Sequence, residues 1–372
     1  MIAKPPQAGD GGNGDGPSEA AEDAASVQAP HNTQATAIDA EHADTADNTT
    51  DTGGDDHLAP APPRAQPAGP TACGFIAIIG APNAGKSTLV NALVGAKVTI
   101  VTHKVQTTRT PVRGIALHDN AQLVFLDTPG IFKPRRRLDR AMVDAAWSGA
   151  KDADVVVLMV DAAKAGEGGR GSLDKGTAQI ASALATLARP RIAVLNKIDR
   201  IKKETLLALI AQLNELCAFD DIFMLSALNG DGVADFKAHL ASLMPEGPWH
   251  YPADDLSDLP LRLLAAELTR EKIYLRLHQE LPYAITVETT GWEAVRKGVR
   301  VEQTIYVERE SQKQIVLGKG GETIKRLSIE AREDLSAIIE QPVHLFLFVK
   351  VRENWGDDPE RYRELGLDFP KA

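Results

Sequence analysis

The chain has 372 residues, 43% of them apolar, which is long for one ordinary core and points to two domains plus extras. Its formal net charge of −10 has a single origin: residues 1–71 hold twelve Asp or Glu against only Lys4 and Arg64, and the remainder holds 39 basic and 39 acidic side chains. No run of about 18 apolar residues occurs, which excludes a membrane-spanning helix. The first residues carry neither the apolar stretch of a secretory signal nor the Arg-rich, acid-poor character of a transit peptide, so a cytoplasmic location is expected.

Residues 1–71 are rich in Ala, Gly, Asp, Pro, Thr and Gln and poor in large apolar side chains. Such a segment cannot bury enough surface to offset the entropy of ordering, and it is expected to be a disordered acidic tail. Cys73 and Cys217 share no metal-ligand spacing and read as buried, reduced thiols.

From residue 73 to about 245, apolar strand-like runs at 75–79, 123–126, 155–160, 192–195 and 222–225 alternate with helical patterns. That order predicts an α/β domain over 72–246, a mostly parallel sheet with helices on both faces. The continuous run Val155-Val156-Val157-Leu158-Met159-Val160 suits a strand covered on both sides. Between 245 and 260 stand four prolines, a glycine and three aspartates, which read as a linker over 247–260. Beyond it a helix near 261–278, strands at 284–289 and 303–307, a helix at 322–339 and a strand at 343–351 predict an α+β domain over 261–355. A loose polar tail is expected over 356–372.

Gly80-Ala81-Pro82-Asn83-Ala84-Gly85-Lys86-Ser87, followed by Thr88, follows the first strand and opens a helix, the setting of a phosphate-binding P-loop. Glycines let backbone N–H groups converge on phosphates, Lys86 pairs with β- and γ-phosphate oxygens, and Ser87 is suited to ligate Mg2+. Asp127-Thr128-Pro129-Gly130 ends the next parallel strand, where the Asp127 carboxylate can hold Mg2+ through water and Gly130 can turn its N–H to the γ-phosphate. Asn196-Lys197-Ile198-Asp199 ends another strand, and a carboxylate at Asp199 can accept both N–H groups of the guanine edge, which adenine does not offer. Left unpaired in a buried pocket, that carboxylate rejects the wrong base, so GTP is favoured over ATP. Backbone N–H groups in Ser226-Ala227-Leu228 can reach the guanine O6.

Gln106-Thr107-Thr108-Arg109 lies in a loop between the first helix and the next strand, where either Thr107 or Thr108 can complete the magnesium shell. Such a loop is a candidate switch, ordered by γ-phosphate and released after hydrolysis. Lys86, Thr107, Thr108, Asp127 and Gly130 are therefore the candidate catalytic residues. Ile131 stands where many signalling GTPases carry a water-orienting glutamine, so intrinsic hydrolysis is expected to be slow or to use another group. Asn83 is a candidate for holding a monovalent cation, K+, beside the phosphates.

In the second domain the apolar residues Ile315-Val316-Leu317 precede Gly318-Lys319-Gly320-Gly321, and a helix with Lys325 and Arg326 in its first turns follows. This G-x-x-G arrangement suits a KH domain, which clamps about four nucleotides of single-stranded RNA.

Taken together, these motifs, with Gln106–Arg109, Ile329-Glu330-Ala331-Arg332 and Pro342-Val343-His344-Leu345, resemble the Era family of bacterial GTPases over about residues 74–355. The resemblance implies a P-loop GTPase domain followed by a type II KH domain that binds the 3′ end of 16S ribosomal RNA. It further implies a role in maturation of the 30S subunit and peripheral association with the inner membrane. A monomer is expected. The acidic residues 1–71 depart from the family's usual pattern. Two other readings compete: a GTPase working with a partner in tRNA modification, whose relatives lack this C-terminal G-x-x-G, and a binder that has lost hydrolysis, against which Lys86, Ser87 and Asp127 all speak.

Overall fold

The computed structural model of the protein describes residues 69–104, 106–166, 171–277 and 281–370, so the expected disordered tail lies outside the described residues apart from its last three. The first sheet contains β1 (Ala72–Gly80), β2 (Val112–His118), β3 (Ala121–Asp127), β4 (Val155–Asp161), β5 (Arg191–Asn196) and β6 (Asp221–Leu225). Its order is β2-β3-β1-β4-β5-β6, parallel throughout except that β2 runs antiparallel to β3.

One face of the sheet is covered by α1 (Lys86–Val94), through Leu89, Val90 and Leu93, and by α6 (Val233–Ser242), through Phe236 and Leu240. The other face is covered by α2 (Arg137–Asp152), α4 (Lys175–Leu184) and α5 (Lys203–Leu216), with the short α3 (Ala162–Gly166) at the end of β4. β4 is buried along nearly its whole length, as its unbroken apolar run requires. β2 has no such run: Arg113 is exposed, and Gly114 lets α1 approach so closely that a Cβ there would lie 2.9 Å from Val90 and Val94 methyl carbons.

The proline-rich linker is not a free connection. Ile115 N donates to Leu256 O at 2.8 Å, Arg113 pairs with Asp258 at 2.6 Å, and the Gln122 amide accepts from His250 N and Tyr251 N while donating to Tyr251 O. The segment thereby covers the open edge of β2, a usual protection for an edge strand.

In the second half, α7 (Leu261–Arg276), α8 (Glu310–Leu317) and α9 (Glu322–Ile339) pack on a sheet of β7 (Ile285–Val295), β8 (Gly298–Val307) and β9 (Val343–Val351), ordered β7-β8-β9. β7 and β8 are antiparallel, and the parallel pairing of β8 with β9 requires the crossover that α8 and α9 provide. The apolar residues 315–317 therefore end a short helix, α8, with Val316 buried in the core and Ile315 exposed. Eight largely polar residues carry too few apolar positions for a visible period.

The expectation of a loose tail after residue 355 needs correction. Trp355, Tyr362 and Leu367 are 3%, 1% and 4% exposed and form a cluster with Leu138, Ala141 and Met142 of α2. A short helix, α10 (Pro359–Glu364), is capped by the Asp358 carboxylate, which accepts from Glu360 N. Large side chains widely spaced among charged ones hold the segment down, and average polarity hid them. Trp355 Nε1 donates to Ala284 O at 2.9 Å, and its ring lies 5.4 Å from the Arg109 guanidinium. Removing so large a buried ring should cost about 3 to 5 kcal/mol. Trp355→Ala should accordingly lower the denaturation midpoint of the full chain clearly; an unchanged midpoint would show that the segment adds nothing to stability.

Candidate functional site

The loop between β1 and α1 wraps a cavity of about 350 Å³. Pro82, Asn83, Gly85, Lys86, Ser87 and Thr88 line it, with Thr107, Thr108, Gly130, Asn196, Lys197, Asp199, Ser226, Ala227 and Leu228. Gly80, Ala81, Ala84, Asp127, Thr128 and Pro129 stand behind this lining and brace it: Gly80 O accepts from Ile131 N at 3.0 Å, and Thr128 Oγ1 donates to Ile78 O at 2.8 Å. Gly85 has φ 100°, and a Cβ there would meet Asn196 Nδ2 at 2.2 Å, so only glycine lets the loop and the base-side strand come together.

Lys86 is buried and donates to the carbonyls of Gly80 and Ala81 at 3.2 and 3.1 Å. Burial pulls its pKa from the ordinary 10.5 to about 8, with Asp127 opposing the fall. Asp127 is fully buried, and its Oδ2 accepts from Ser87 Oγ at 2.8 Å, Thr99 Oγ1 at 2.8 Å and Thr108 Oγ1 at 3.1 Å. Its Oδ1 has no partner among the described residues. Burial pushes the Asp127 carboxyl above its usual range, against the three hydroxyls and Lys86.

An orphaned buried carboxylate oxygen beside two hydroxyls suits a hard divalent cation such as Mg2+. Of the two candidate threonines, Thr108 joins this cluster, 3.0 Å from Ser87 Oγ, whereas the Thr107 hydroxyl contacts Thr102 Oγ1 and the Lys104 carbonyl, both at 2.7 Å. In this arrangement Thr108 is the one of the two placed beside Asp127, while the Thr107 side chain bonds within the loop itself. Thr99 was missed: a lone threonine in an apolar stretch carries no motif.

On the base side, Asn196 Nδ2 donates to Ala84 O at 2.8 Å and its Oδ1 accepts from Ala227 N at 3.0 Å, so one amide ties the phosphate loop to the Ser226–Leu228 turn. Lys197 crosses the pocket to Asn83 O at 2.8 Å and pairs with Asp161 at 2.5 Å. Asp199, expected in a buried setting, is exposed at the rim, as is Leu228. Asn83 donates its side-chain amide to His103 O at 2.8 Å, joining the P-loop to the candidate switch. Ile131 is 9% exposed and packs into the core under α2, bringing no polar group to the cavity.

The candidate switch is fastened to the second half of the chain. Asn91 of α1 clamps its start, accepting from Val98 N and Thr99 N. Ile100 is then part of the second hydrophobic core, and Val101 N donates to Glu271 Oε1 at 2.8 Å. Arg270 of α7 donates to the carbonyls of Gln106 and Thr107, while Lys97 bridges Glu271 and Asp334 at 2.6 and 2.8 Å. Arg109 is 1% exposed and donates to Ile285 O, Tyr283 O and Tyr274 OH. Gln106 Nε2 reaches Asp139 at the start of α2, at 2.7 Å.

The G-x-x-G turn stands apart from the pocket lining. Gly318 has φ 74°, and a Cβ there would sit 2.2 Å from Thr323 Oγ1. Gly320 and Gly321 also have positive φ, and Lys319, Lys325 and Arg326 are exposed around the turn while Val316, Ile324 and Leu327 anchor it in the core.

Comparison with known proteins agrees with these two halves. A family model described as 50S ribosome-binding GTPase matches residues 75–197, and one described as KH domain matches residues 280–356. GTPase Era of Sinorhizobium medicae is 64% identical over 303 residues, covering 81% of this chain and 96% of its own. GTPase Era of Agrobacterium fabrum is 60% identical over 318 residues, covering 85% and 98%. Era solved with MgGDPNP and nucleotides 1506–1542 of 16S ribosomal RNA superposes with a TM-score of 0.74 at 36% identity, covering 80% of this chain and 99% of that one. A single-residue variant of Aquifex aeolicus Era bound to GDP·AlF4− gives the same TM-score, identity and coverage.

The lowered pKa of Lys86 has a measurable consequence. Phosphates need its ammonium form, which the free protein loses above about pH 8. GTP affinity should be flat below that pH and fall by up to about tenfold per unit above it. Because the folded pKa lies below the unfolded one, the unfolded chain binds more protons between about 8 and 10.5, so this group makes the nucleotide-free protein more stable as pH rises through that window. Titration with a fluorescent GTP analogue from pH 7 to 9.5 checks the first point; a profile flat to pH 9.5 would contradict it.

Proposed function

The chain belongs to the Era family of GTPases, and on that premise we propose that it is a GTP-driven switch whose KH domain binds the 3′ end of 16S ribosomal RNA and assists 30S assembly and RNA maturation. It is a GTP-hydrolysing enzyme with a C-terminal KH domain. The observation that carries the switch reading is the segment 97–109, whose residues line the nucleotide pocket, donate to Asp127 and enter the core of the KH domain. A small-subunit RNA is favoured because the relative solved with RNA holds 16S nucleotides. The description 50S ribosome-binding GTPase attaches to residues 75–197, outside the KH domain.

In this reading the P-loop N–H groups and Lys86 hold the phosphates, and Asn196, Asp199 and the Ser226–Leu228 turn hold the guanine. Ser87, Thr108 and Asp127 would hold Mg2+, which bound with GTP would neutralise charge on the phosphate oxygens. Gly130 offers its N–H to the γ-phosphate, as its close approach to Pro82 suits. With Ile131 buried, no side chain at that position orients the attacking water, so intrinsic turnover is slow. Asn83 would help hold a K+, which would supply part of the missing positive charge. Lys319, Lys325 and Arg326 face the RNA backbone at the G-x-x-G turn. An RNA partner of this kind goes with a cytoplasmic site of action. Any inner-membrane contact is peripheral, since no helix among the described residues is long and apolar enough to cross a membrane.

Two measurements test the reading. A labelled oligonucleotide copying the 3′ end of 16S RNA should bind more tightly with a GTP analogue than with GDP at fixed salt, and lose that binding in Gly318→Asp and Gly321→Asp. Absence of binding in every nucleotide state would sink it. Thr108→Ala should weaken Mg2+-dependent binding of the GTP analogue by tenfold or more while Thr107→Ala changes it by less than threefold; the reverse order would transfer the magnesium role to Thr107.

A further inference from the structure

Between Gly130 and the first turns of α2 the chain reads Ile-Phe-Lys-Pro-Arg-Arg-Arg-Leu-Asp-Arg, five positive charges in eight positions. Lys133, Arg135, Arg136 and Arg140 are exposed, Arg137 is half-buried, and none of the five has an ion pair among the described residues. The one carboxylate inside the run, Asp139, is buried and accepts from Arg135 N, Arg136 N and the Gln106 amide, so it makes no ion pair with the side chains beside it and the run stays strongly positive. Aromatic rings border the cluster: Phe132 is half-buried in the α2 cluster, and Phe369, 38% exposed, stacks against the Arg137 guanidinium at 4.9 Å.

A solvated face would pair or disperse these charges. Unpaired guanidinium groups beside an exposed ring are instead suited to RNA, because arginine forks match phosphate oxygens and rings accept unstacked bases. We propose that Lys133–Arg140 is a second RNA-binding surface, on the GTPase domain, taking the phosphate backbone of the strand held by the KH domain. It rests on the RNA reading given above. The length of RNA makes room for it: a KH groove clamps about four nucleotides, and the relative was solved with nucleotides 1506–1542, which is 37 counted inclusively. The surface directly follows Gly130 and is tied through Asp139 to Gln106 at the nucleotide pocket, so it belongs to the part of the domain that senses the nucleotide.

The test uses the full chain with the GTP analogue present and compares the wild type with a Lys133→Gln, Arg135→Gln, Arg136→Gln, Arg140→Gln variant. The probes are an RNA copying those 37 nucleotides and a short oligonucleotide of roughly KH-groove length. Each phosphate contact to a single strand contributes about 0.7 to the slope of log affinity against log salt, so losing three or four contacts should flatten the slope on the long RNA by about 2 to 3. Affinity for the short RNA and for the GTP analogue should be unchanged.

An unchanged slope on the long RNA overturns the proposal. Equal losses on both RNAs also overturn it, since the substitutions would then act through the KH fold. Tighter binding by the variant overturns it as well, and would point to the chain's own acidic residues 1–71 as the anion on this surface. Failure of the wild type to bind either RNA would instead overturn the RNA reading itself.

Discussion

Thr99 and Ile100 are neighbours in the chain and serve different domains. The Thr99 hydroxyl donates to the Asp127 carboxylate in the GTPase domain, and the Ile100 side chain is buried in the core formed by α7, α9 and the β7-β8-β9 sheet. Between these residues and Arg109 the backbone is held from the KH side at Val101, Gln106 and Thr107 by Glu271 and Arg270. Full burial of an isoleucine is worth about 1.5 to 3 kcal/mol. A rearrangement of this segment around γ-phosphate therefore cannot leave the second domain indifferent.

The electrostatics of the same segment would sharpen such a coupling. Arg109 is buried and makes no ion pair among the described residues; its two terminal nitrogens donate to carbonyls and a tyrosine hydroxyl, the ring of Trp355 lies against it, and its Nε has no hydrogen-bond partner among those residues. Burial accordingly pushes its pKa down. Arg270 is equally buried; burial is again the largest single influence and lowers its pKa, but the contacts with Glu267 and Tyr274 together outweigh it and the net shift is upward. A guanidinium held only by carbonyls and one hydroxyl, with its Nε already without a partner, loses most of its remaining acceptors if that ring opens, and an unpaired buried charge is costly. Such contacts favour two discrete arrangements over a continuum. The C-terminal segment belongs to the same device, since Trp355 stacks on Arg109 while Tyr362 and Leu367 cover α2, whose first turn holds Gln106 through Asp139.

The nucleotide pocket was legible in the sequence because its chemistry demands residue types at fixed spacing: Gly85 where Asn196 approaches, Lys86 and Ser87 at the helix start, Asp127 and Asn196 at strand ends. The KH domain was legible through Gly318–Gly321 and the apolar positions of α9 and β9. What lacked a signal depended on distant partners. Thr108 and Thr99 reach the Asp127 carboxylate while Thr107 bonds within its own loop, a difference that no local motif carries. β2 is a strand because β3 and the linker flank it, and Arg109 is buried because residues more than 160 positions away enclose it. Composition misread the C-terminal residues because three side chains, not an average, hold them.

The most direct test of the coupling is its reciprocity. If GTP and RNA bias one shared segment, RNA must raise affinity for the GTP analogue by the same factor as the analogue raises affinity for RNA. Calorimetric titration of the GTP analogue into the full chain, with and without saturating 16S 3′-end RNA, should give a clear gain with RNA that disappears in Arg270→Ala. Identical affinities with and without RNA in the wild-type protein would mean that the two sites share a chain but no switch.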